Sequence, residues 1–217
     1  MRATVFLSAL EIPMDASTPK LYGVDLSHAN PDVDLHQLVA AGSLSFIALK
    51  ATEGQDFVDP MFGERFQRIT EFLPSTYVFA YHFLRTDSPV PDQMGHFVDV
   101  LKGVDYFNVP QAIRPAIDAE RGLQGQQPTA ADVTAAVNAF AMLANFHPGV
   151  YSGQDYWETE LTGVDCAYRW VARYADAPPT IDYAIWQDSA TRIIAGNAYD
   201  HNVAFMTLEQ LLTKVGR

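Results

Sequence analysis

Short apolar runs alternate along this chain with segments whose apolar residues recur at helical spacing, and the alternation continues from Leu21 to the C-terminus. Leu21–Ser27 reads as a strand, and Asp34–Ala41 as a short helix stopped by Gly42. Ser45–Ala51 is a continuous apolar run, the pattern of a strand buried on both faces. Asp59-Pro60 opens the next helix, with the aspartate as N-cap and the proline at the first helical position. Thr76–Leu84 is a third strand, Asp92–Lys102 a helix closed by Gly103, and Ala112–Asp118 a fourth strand. Within that strand Pro115 must sit where no ladder donor is needed.

The second half follows the same rhythm. Thr129-Ala130-Ala131-Asp132 has the form of a capping box, with aspartate in the place of Glu or Gln. Val133, Val137, Phe140, Ala141 and Ala144 then form an apolar helical stripe ended by His147-Pro148-Gly149. Strands follow at Gly149–Ser152, Arg169–Tyr174 and Tyr183–Gln187, with a further one at Val203–Met206, and Thr207 with Gln210 caps a last helix. Strand–helix alternation of this kind predicts a parallel sheet. Seven or eight strands in about 200 residues predict an α/β fold, a single (β/α) TIM-like barrel, irregular where the late helices are short. With no internal repeat to divide it, 21–217 is one domain and 1–20 a loosely ordered N-terminal extension.

Composition narrows the partners. Lysine and arginine number 14 against 26 acids, a formal net charge of −12 in 217 residues, which argues against nucleic acid and anionic membranes. Recognition must therefore come from a shaped cleft rather than a basic patch. The single cysteine, Cys166, rules out an intrachain disulfide. No apolar run reaches the roughly 20 residues of a membrane span. The apolar stretch Ala3–Leu10 is broken by Glu11 and Pro13, and no small-x-small cleavage site follows, so it makes no convincing signal peptide.

The predicted strands carry their polar residues at their C-terminal ends: Asp25 and Ser27, Lys50 and Thr52, Tyr81 and His82, Asp118 and Glu120, Tyr151 and Ser152, Arg173 and Tyr174, Trp186 and Gln187. In a β/α barrel those ends open on one face, where active sites lie. The most informative stretch is Arg114–Glu120, an apolar run that ends in two carboxylates two residues apart. Alternate residues of a strand share a face, so Asp118 and Glu120 can serve one small site, where repulsion raises one of their pKa values. A strand that simply ends in a solvated acidic loop is the competing reading of that segment.

Several single residues admit plainer roles. Lys50 fits a structural ion pair as well as a substrate contact, and His82, between Tyr81 and Phe83, fits a hydrogen-bonded core histidine as well as a catalytic one. Trp157 and Trp170 read as packing residues; Trp186, beside Gln187 at a strand end, is the candidate for a sugar-stacking platform. The histidines show no metal-ligand spacing, so no metal and no cofactor is implied. G-x-G-x-x-G, the P-loop and G-x-S-x-G are absent, and Gly149–Gly153 lacks the elbow spacing.

Taken in order, these residues resemble glycoside hydrolase family 25, lysozymes that act as N-acetylmuramidases. Gly23-Val24-Asp25-Leu26-Ser27 is similar to the family's opening G-[IV]-D-[VL]-S, and Phe46–Gly54 to its K-A-T-E-G signature. Ala80-Tyr81-His82-Phe83 resembles its Y-H-F, Ile117–Glu120 its D-x-E, and Val150-Tyr151-Ser152 its Y-[TS]. Trp170–Tyr174 resembles W-[IV]-A-x-Y, Ile185-Trp186-Gln187 its W-Q, and Tyr199–Asn202 the closing D-x-N. His28-Ala29-Asn30 departs from the usual residues after the first strand, and the segment between Trp186 and Asp200 is family-like only in length.

The resemblance implies a peptidoglycan hydrolase, an N-acetylmuramidase that cleaves the β-1,4 bond from N-acetylmuramic acid to N-acetylglucosamine outside the cytoplasm, and we expect a monomer. Glu120 would be the general acid. Asp118 would either orient the substrate's N-acetyl group for internal attack or work with water in an inverting reaction. Asp25 and Asp200 would orient these partners and bind the sugar, with Tyr81, His82, Tyr151, Trp186, Gln187 and Lys50 supporting the cleft. Two rivals stay open at this point: a non-catalytic glycan-binding barrel of a phage or secretion assembly, and a metal-dependent hydrolase built on the same carboxylates.

Overall fold

The computed structural model describes residues 19–30, 32–122 and 127–216, so residues 1–18 of the expected N-terminal extension lie outside it. Its elements are β1 (Leu21–Leu26), α1 (Leu35–Gly42), β2 (Leu44–Glu53), β3 (Phe57–Val58), α2 (Phe62–Phe72), β4 (Tyr77–Phe83) and α3 (Val90–Gly103). After a 3-10 turn at Tyr106–Asn108 come β5 (Ala116–Asp118), α4 (Ala130–Ala144), β6 (Gly149–Gly153), α5 (Gln154–Thr159), β7 (Arg169–Ala172), β8 (Ile185–Ile194), β9 (Asn197–Ala204) and α6 (Leu208–Val215).

Eight strands close a barrel in the order β1-β2-β4-β5-β6-β7-β8-β9, with β9 returning to β1 and the two-residue β3 hung on β2. The α/β barrel expected from the alternation is the fold observed. The expectation of a wholly parallel sheet is corrected at the seam: β9 runs antiparallel to both β8 and β1. The reason lies in the two-residue turn at Ala195 (φ 51°) and Gly196 (φ 86°), which folds β8 straight back as a hairpin. The last strand is accordingly Asn197–Ala204 rather than Val203–Met206.

Two helix boundaries also differ from expectation. Ser43, not Gly42, takes the left-handed cap of α1 (φ 50°). Asp59 does not cap α2, whose N-cap is Met61 with no side-chain bond. One oxygen of the Asp59 carboxylate accepts the N–H of Met61 at 3.0 Å, and the other accepts the backbone N–H of His28 and bonds the His28 ring, both at 2.8 Å. Arg65 of α2 donates to the carbonyls of Ser27 and Asn30. Together they pin the loop after β1 against α2. The capping boxes at Thr129/Asp132 and Thr207/Gln210 form as the sequence predicts.

Two apolar layers follow from the alternation of side chains along the strands. Outside the barrel, Ile47, Leu49, Val78, Ala80 and Ile117 pack against Leu38, Phe66, Phe97 and Phe140 of the helices. Inside it, Phe46, Phe79, Tyr168, Trp170 and Ile185 fill the lower half, and Leu211 and Val215 of α6 seal the bottom. Gly23 and Gly149 make that filling possible. A Cβ at either would sit 2.2–2.3 Å from the Phe46 or Tyr168 ring of the neighbouring strand. The upper half of the interior is polar, and it opens at the C-terminal ends of the parallel strands.

Candidate active site

The inward-facing positions above the aromatic filling carry the acids. Asp25 and Asp200 are direct partners on β1 and β9, and Asp118 ends β5 with Glu120 just beyond it. Tyr151 stands beside Asp118 in the β5–β6 register, and Gln187 beside Asn202 in the β8–β9 register. These side chains meet at one place. Asp25 Oδ2 accepts from Gln187 Nε2 at 2.9 Å and from Asn202 Nδ2 at 2.8 Å. Gln187 Oε1 accepts from Tyr151 at 2.8 Å and from Tyr174 at 2.7 Å. Below them the Trp170 indole donates to Asn202 Oδ1 at 2.7 Å, its ring centroid 4.5 Å from that of Tyr151.

Desolvation dominates the electrostatics. Burial pushes Asp118 well above the ordinary carboxylate range, and the Glu120 charge pushes it further while Lys50 pulls it back. Burial also raises Glu120, helped by the charge on Asp25 and opposed by Lys50. Asp200 is pushed up to about 7 by burial and by the charges on Asp25 and Glu120. Asp25 is raised by burial too, but the Asn202 and Gln187 amides favour its anion and counter part of the rise. The site is therefore a group of acids that hold their protons more tightly than free carboxyls do, the condition for a carboxylic acid to serve as a proton donor.

One atom stands out. Asp118 Oδ1 is buried without a hydrogen-bond partner, and no described residue hydrogen-bonds to the Glu120 carboxyl. Leaving a buried polar atom unpaired costs about 1–3 kcal/mol, and no described residue donates to the other oxygen of the Asp118 side chain either.

Lys50 reaches the same group of acids from β2, close enough for its charge to act on Asp118 and Glu120. Its ammonium is 2.7 Å from Glu53 Oε2 and 4.8 Å from the centroid of the Phe83 ring, and Arg85 bonds the other oxygen of Glu53 at 2.9 Å. Burial works to raise Glu53, but its bonds to Lys50 and Arg85 outweigh it and hold the carboxyl below its usual value. Beside this network, at the same end of the barrel, a recess of about 460 Å³ is lined by His28, Asp56, Phe57, Arg85 and Ser88. Among the described residues no group of three or more His, Cys, Asp or Glu is placed to hold a metal ion.

Two of the expected site residues lie elsewhere. His82 is fully buried on the outer face of β4, between the barrel and α3, with Nδ1 2.7 Å from Thr52 Oγ1 and Nε2 3.2 Å from Gln93 Oε1. Gln93 Oε1 can only accept, so Nε2 carries the proton and the Thr52 hydroxyl donates to Nδ1. Burial drives its pKa down to about 3. It is the core histidine. Trp186 points outward from β8, 5% exposed, stacked on Phe205 at 6.0 Å with its indole N–H on the Arg173 carbonyl. Adjacent residues of a strand take opposite faces, so Gln187 inside the barrel forces Trp186 out.

The remaining expected residues, Asp25, Lys50, Tyr81, Asp118, Glu120, Tyr151, Gln187 and Asp200, come together at the mouth. Three others join them. Asn202 and Trp170 hold Asp25 from below, and Tyr174 is an aromatic residue 60% exposed at the rim. Their motif positions, W-x-x-x-Y and D-x-N, were visible in the sequence, but only the closed barrel shows which face each occupies.

A family model described as glycosyl hydrolases family 25 matches residues 24–197. The N,O-diacetylmuramidase of Arthroderma benhamiae is 26% identical over 216 residues, covering 90% of this chain and 87% of its own length. The protein YegX of Escherichia coli O157:H7 is 28% identical over 215 residues, covering 94% of this chain and 75% of its own. A family 25 glycosyl hydrolase from Bacillus anthracis shares the fold with a TM-score of 0.75 at 24% identity, over 91% of this chain and 94% of its own. With most of its length matched, and its acids gathered at the mouth of the barrel, the chain belongs to family 25 of the glycosyl hydrolases.

Proposed function

We propose that this glycoside hydrolase is a lysozyme that cleaves the β-1,4 bond between N-acetylmuramic acid and N-acetylglucosamine, with Glu120 as general acid and Asp118 as the residue that directs the substrate's acetamide. The observation that carries this reading is the buried, unpartnered Asp118 Oδ1 two residues before Glu120. An acetamide N–H is a donor of the kind that the Asp118 carboxyl lacks, and its second oxygen is the one open to it. Bonded there, the acetamide carbonyl oxygen is turned toward the anomeric carbon and attacks it as the glycosidic bond breaks. Glu120, kept protonated by burial and by Asp25, gives its proton to the leaving oxygen. The resulting oxazolinium is opened by water, which Glu120, now a carboxylate, deprotonates. This substrate-assisted route retains the anomeric configuration.

Tyr174 takes the stacking role first assigned to Trp186. Its ring is exposed at the rim, and its hydroxyl is tied to Gln187, so it offers a fixed apolar face to a sugar. Asp200 and Asp25 flank the same space, and Lys50 places positive charge beside Asp118. The glycan strands of peptidoglycan are the partner, met outside the cytoplasm by a monomer.

Reducing-end release from purified peptidoglycan, with products identified by mass spectrometry and the first anomer by NMR, tests the reading. Muramic-acid reducing ends of retained configuration from the wild type, with a loss of at least about 10²-fold in Glu120→Gln, are expected. Inverted product would reassign Asp118 to a base acting on water. Absence of release by either protein across pH and wall types would leave a glycan-binding barrel.

A further inference from the structure

Two amides reach Asp25, and the orientation of one of them is fixed outright. Asn202 Oδ1 lies 2.7 Å from the Trp170 indole nitrogen, and an indole N–H is only a donor. The carbonyl end of Asn202 must therefore face Trp170, and its NH₂ must face Asp25. Gln187 Oε1 takes the two phenol donors, Tyr151 and Tyr174, and its NH₂ is then the end that reaches Asp25. Asp25 Oδ2 thus receives two N–H donors whose direction is set by residues behind them. An oxygen in that position is an acceptor twice over, and a proton on it would oppose both donors.

No other acid of the cluster is held in this way. Asp118 Oδ1 has no donor, and no described residue hydrogen-bonds to the Glu120 carboxyl. We propose that Trp170–Asn202 and Tyr151/Tyr174–Gln187 form two orienting arms that make Asp25 the standing anion of the cluster, and that Asp25 is the positioning charge that keeps the proton on Glu120 until the bond breaks. The charged and titratable groups around Asp25 fit the assignment. Asp200 faces it across the seam, Glu120 and Asp118 face it from β5, and Tyr81 comes from β4. Lys50 on β2 is placed to act on Asp118 and Glu120, where its charge opposes their rise, and it is paired to Glu53. With one fixed anion present, each further ionisation among the acids is opposed by a like charge.

This inference rests on Glu120 being the acid, and its test separates the two. Carboxyl ¹³C titration of the free protein should show Asp25 ionising at the lowest pH of the four. In Asn202→Leu and Gln187→Leu, Asp25 should ionise later, and the basic limb of kcat/KM on peptidoglycan should move to lower pH by about one unit. Trp170→Phe, which keeps most of the ring packing and removes the indole donor, should move both in the same direction and serves if the leucine variants do not fold. Asp118 or Glu120 ionising before Asp25 in the wild type, or an unmoved basic limb in folded variants, would overturn the proposal. An active Glu120→Gln would overturn the acid assignment instead, while the titration order would still report on Asp25.

Discussion

Asp25 and Asp200 are direct partners on antiparallel β1 and β9, so the first and last strands of the barrel bring two carboxylates to one point of the seam. Like charges directly opposite on neighbouring strands are unfavourable, and side chains so paired have Cβ atoms only about 5 Å apart. The protein keeps both because one of them binds a proton: Asp200 is raised to about 7 by burial and by the charge on Asp25.

A pH dependence of stability follows. The folded value of Asp200, about 7, lies above its ordinary 3.8, so the native state holds the proton more tightly than the unfolded chain. Its contribution is fully present below 3.8 and is lost as pH rises through about 7. Asp200→Asn should therefore match the wild type in Tm at pH 4 and exceed it at pH 8. A difference in Tm that stays constant between those values would contradict the raised pKa.

Tyr174 has two separable functions, a ring at the rim and a hydroxyl on Gln187. Tyr174→Ala should raise KM several-fold, since one aromatic contact is worth about 1 kcal/mol. Tyr174→Phe should keep KM near the wild-type value and change the pH profile, because only the donor to Gln187 is lost. Equal KM values for wild type and the alanine variant would remove Tyr174 from the binding surface.

His82 lies behind the site rather than in it. Replacing it with alanine leaves Gln93 and Thr52 short of a partner and opens a cavity, so stability should fall by at least about 1–3 kcal/mol. Denaturant melts measure that loss. The specific activity of the fraction that remains folded should be that of the wild type; a tenfold drop in kcat would place His82 back in the chemistry.

Ala195 adopts a left-handed conformation, φ 51°, in the turn between β8 and β9. A non-glycine residue loses about 1 kcal/mol there, and asparagine tolerates the region better than alanine. Ala195→Asn should raise Tm modestly without altering kcat/KM, since the turn lies at the hairpin tip, eight residues beyond Gln187. A lower Tm would mean that the side chain, not the backbone, decides this turn.

Much of the barrel was legible because its signals are local. The apolar run Ser45–Ala51, the capping boxes at Thr129 and Thr207 and the strand end at Asp118-Ala119-Glu120 each announce an element through neighbours in sequence. The β8–β9 hairpin was not legible, because Ala195-Gly196 lacks the Asn-Gly or Asp-Gly signature of a two-residue turn and the strands beyond it are half exposed. Asp59 was legible only in part: Asp-Pro reads as a helix start, and one carboxylate oxygen does bond Met61 there, but the bonds of the other to the distant His28 have no local signal.

By itself the sequence determined the number and order of most strands, the closure into a barrel, and the end of the barrel at which the acids gather. Tertiary structure alone decided which side chains face inward. A shift of one residue turns a strand's side chains to the other face, so Gln187 rather than Trp186, and Tyr81 rather than His82, enters the site. It also decided the proton's place. Asp25, Asp118, Glu120 and Asp200 are the same chemical group in the sequence, and they differ only through burial and through the donors that the closed barrel brings to one of them and withholds from another.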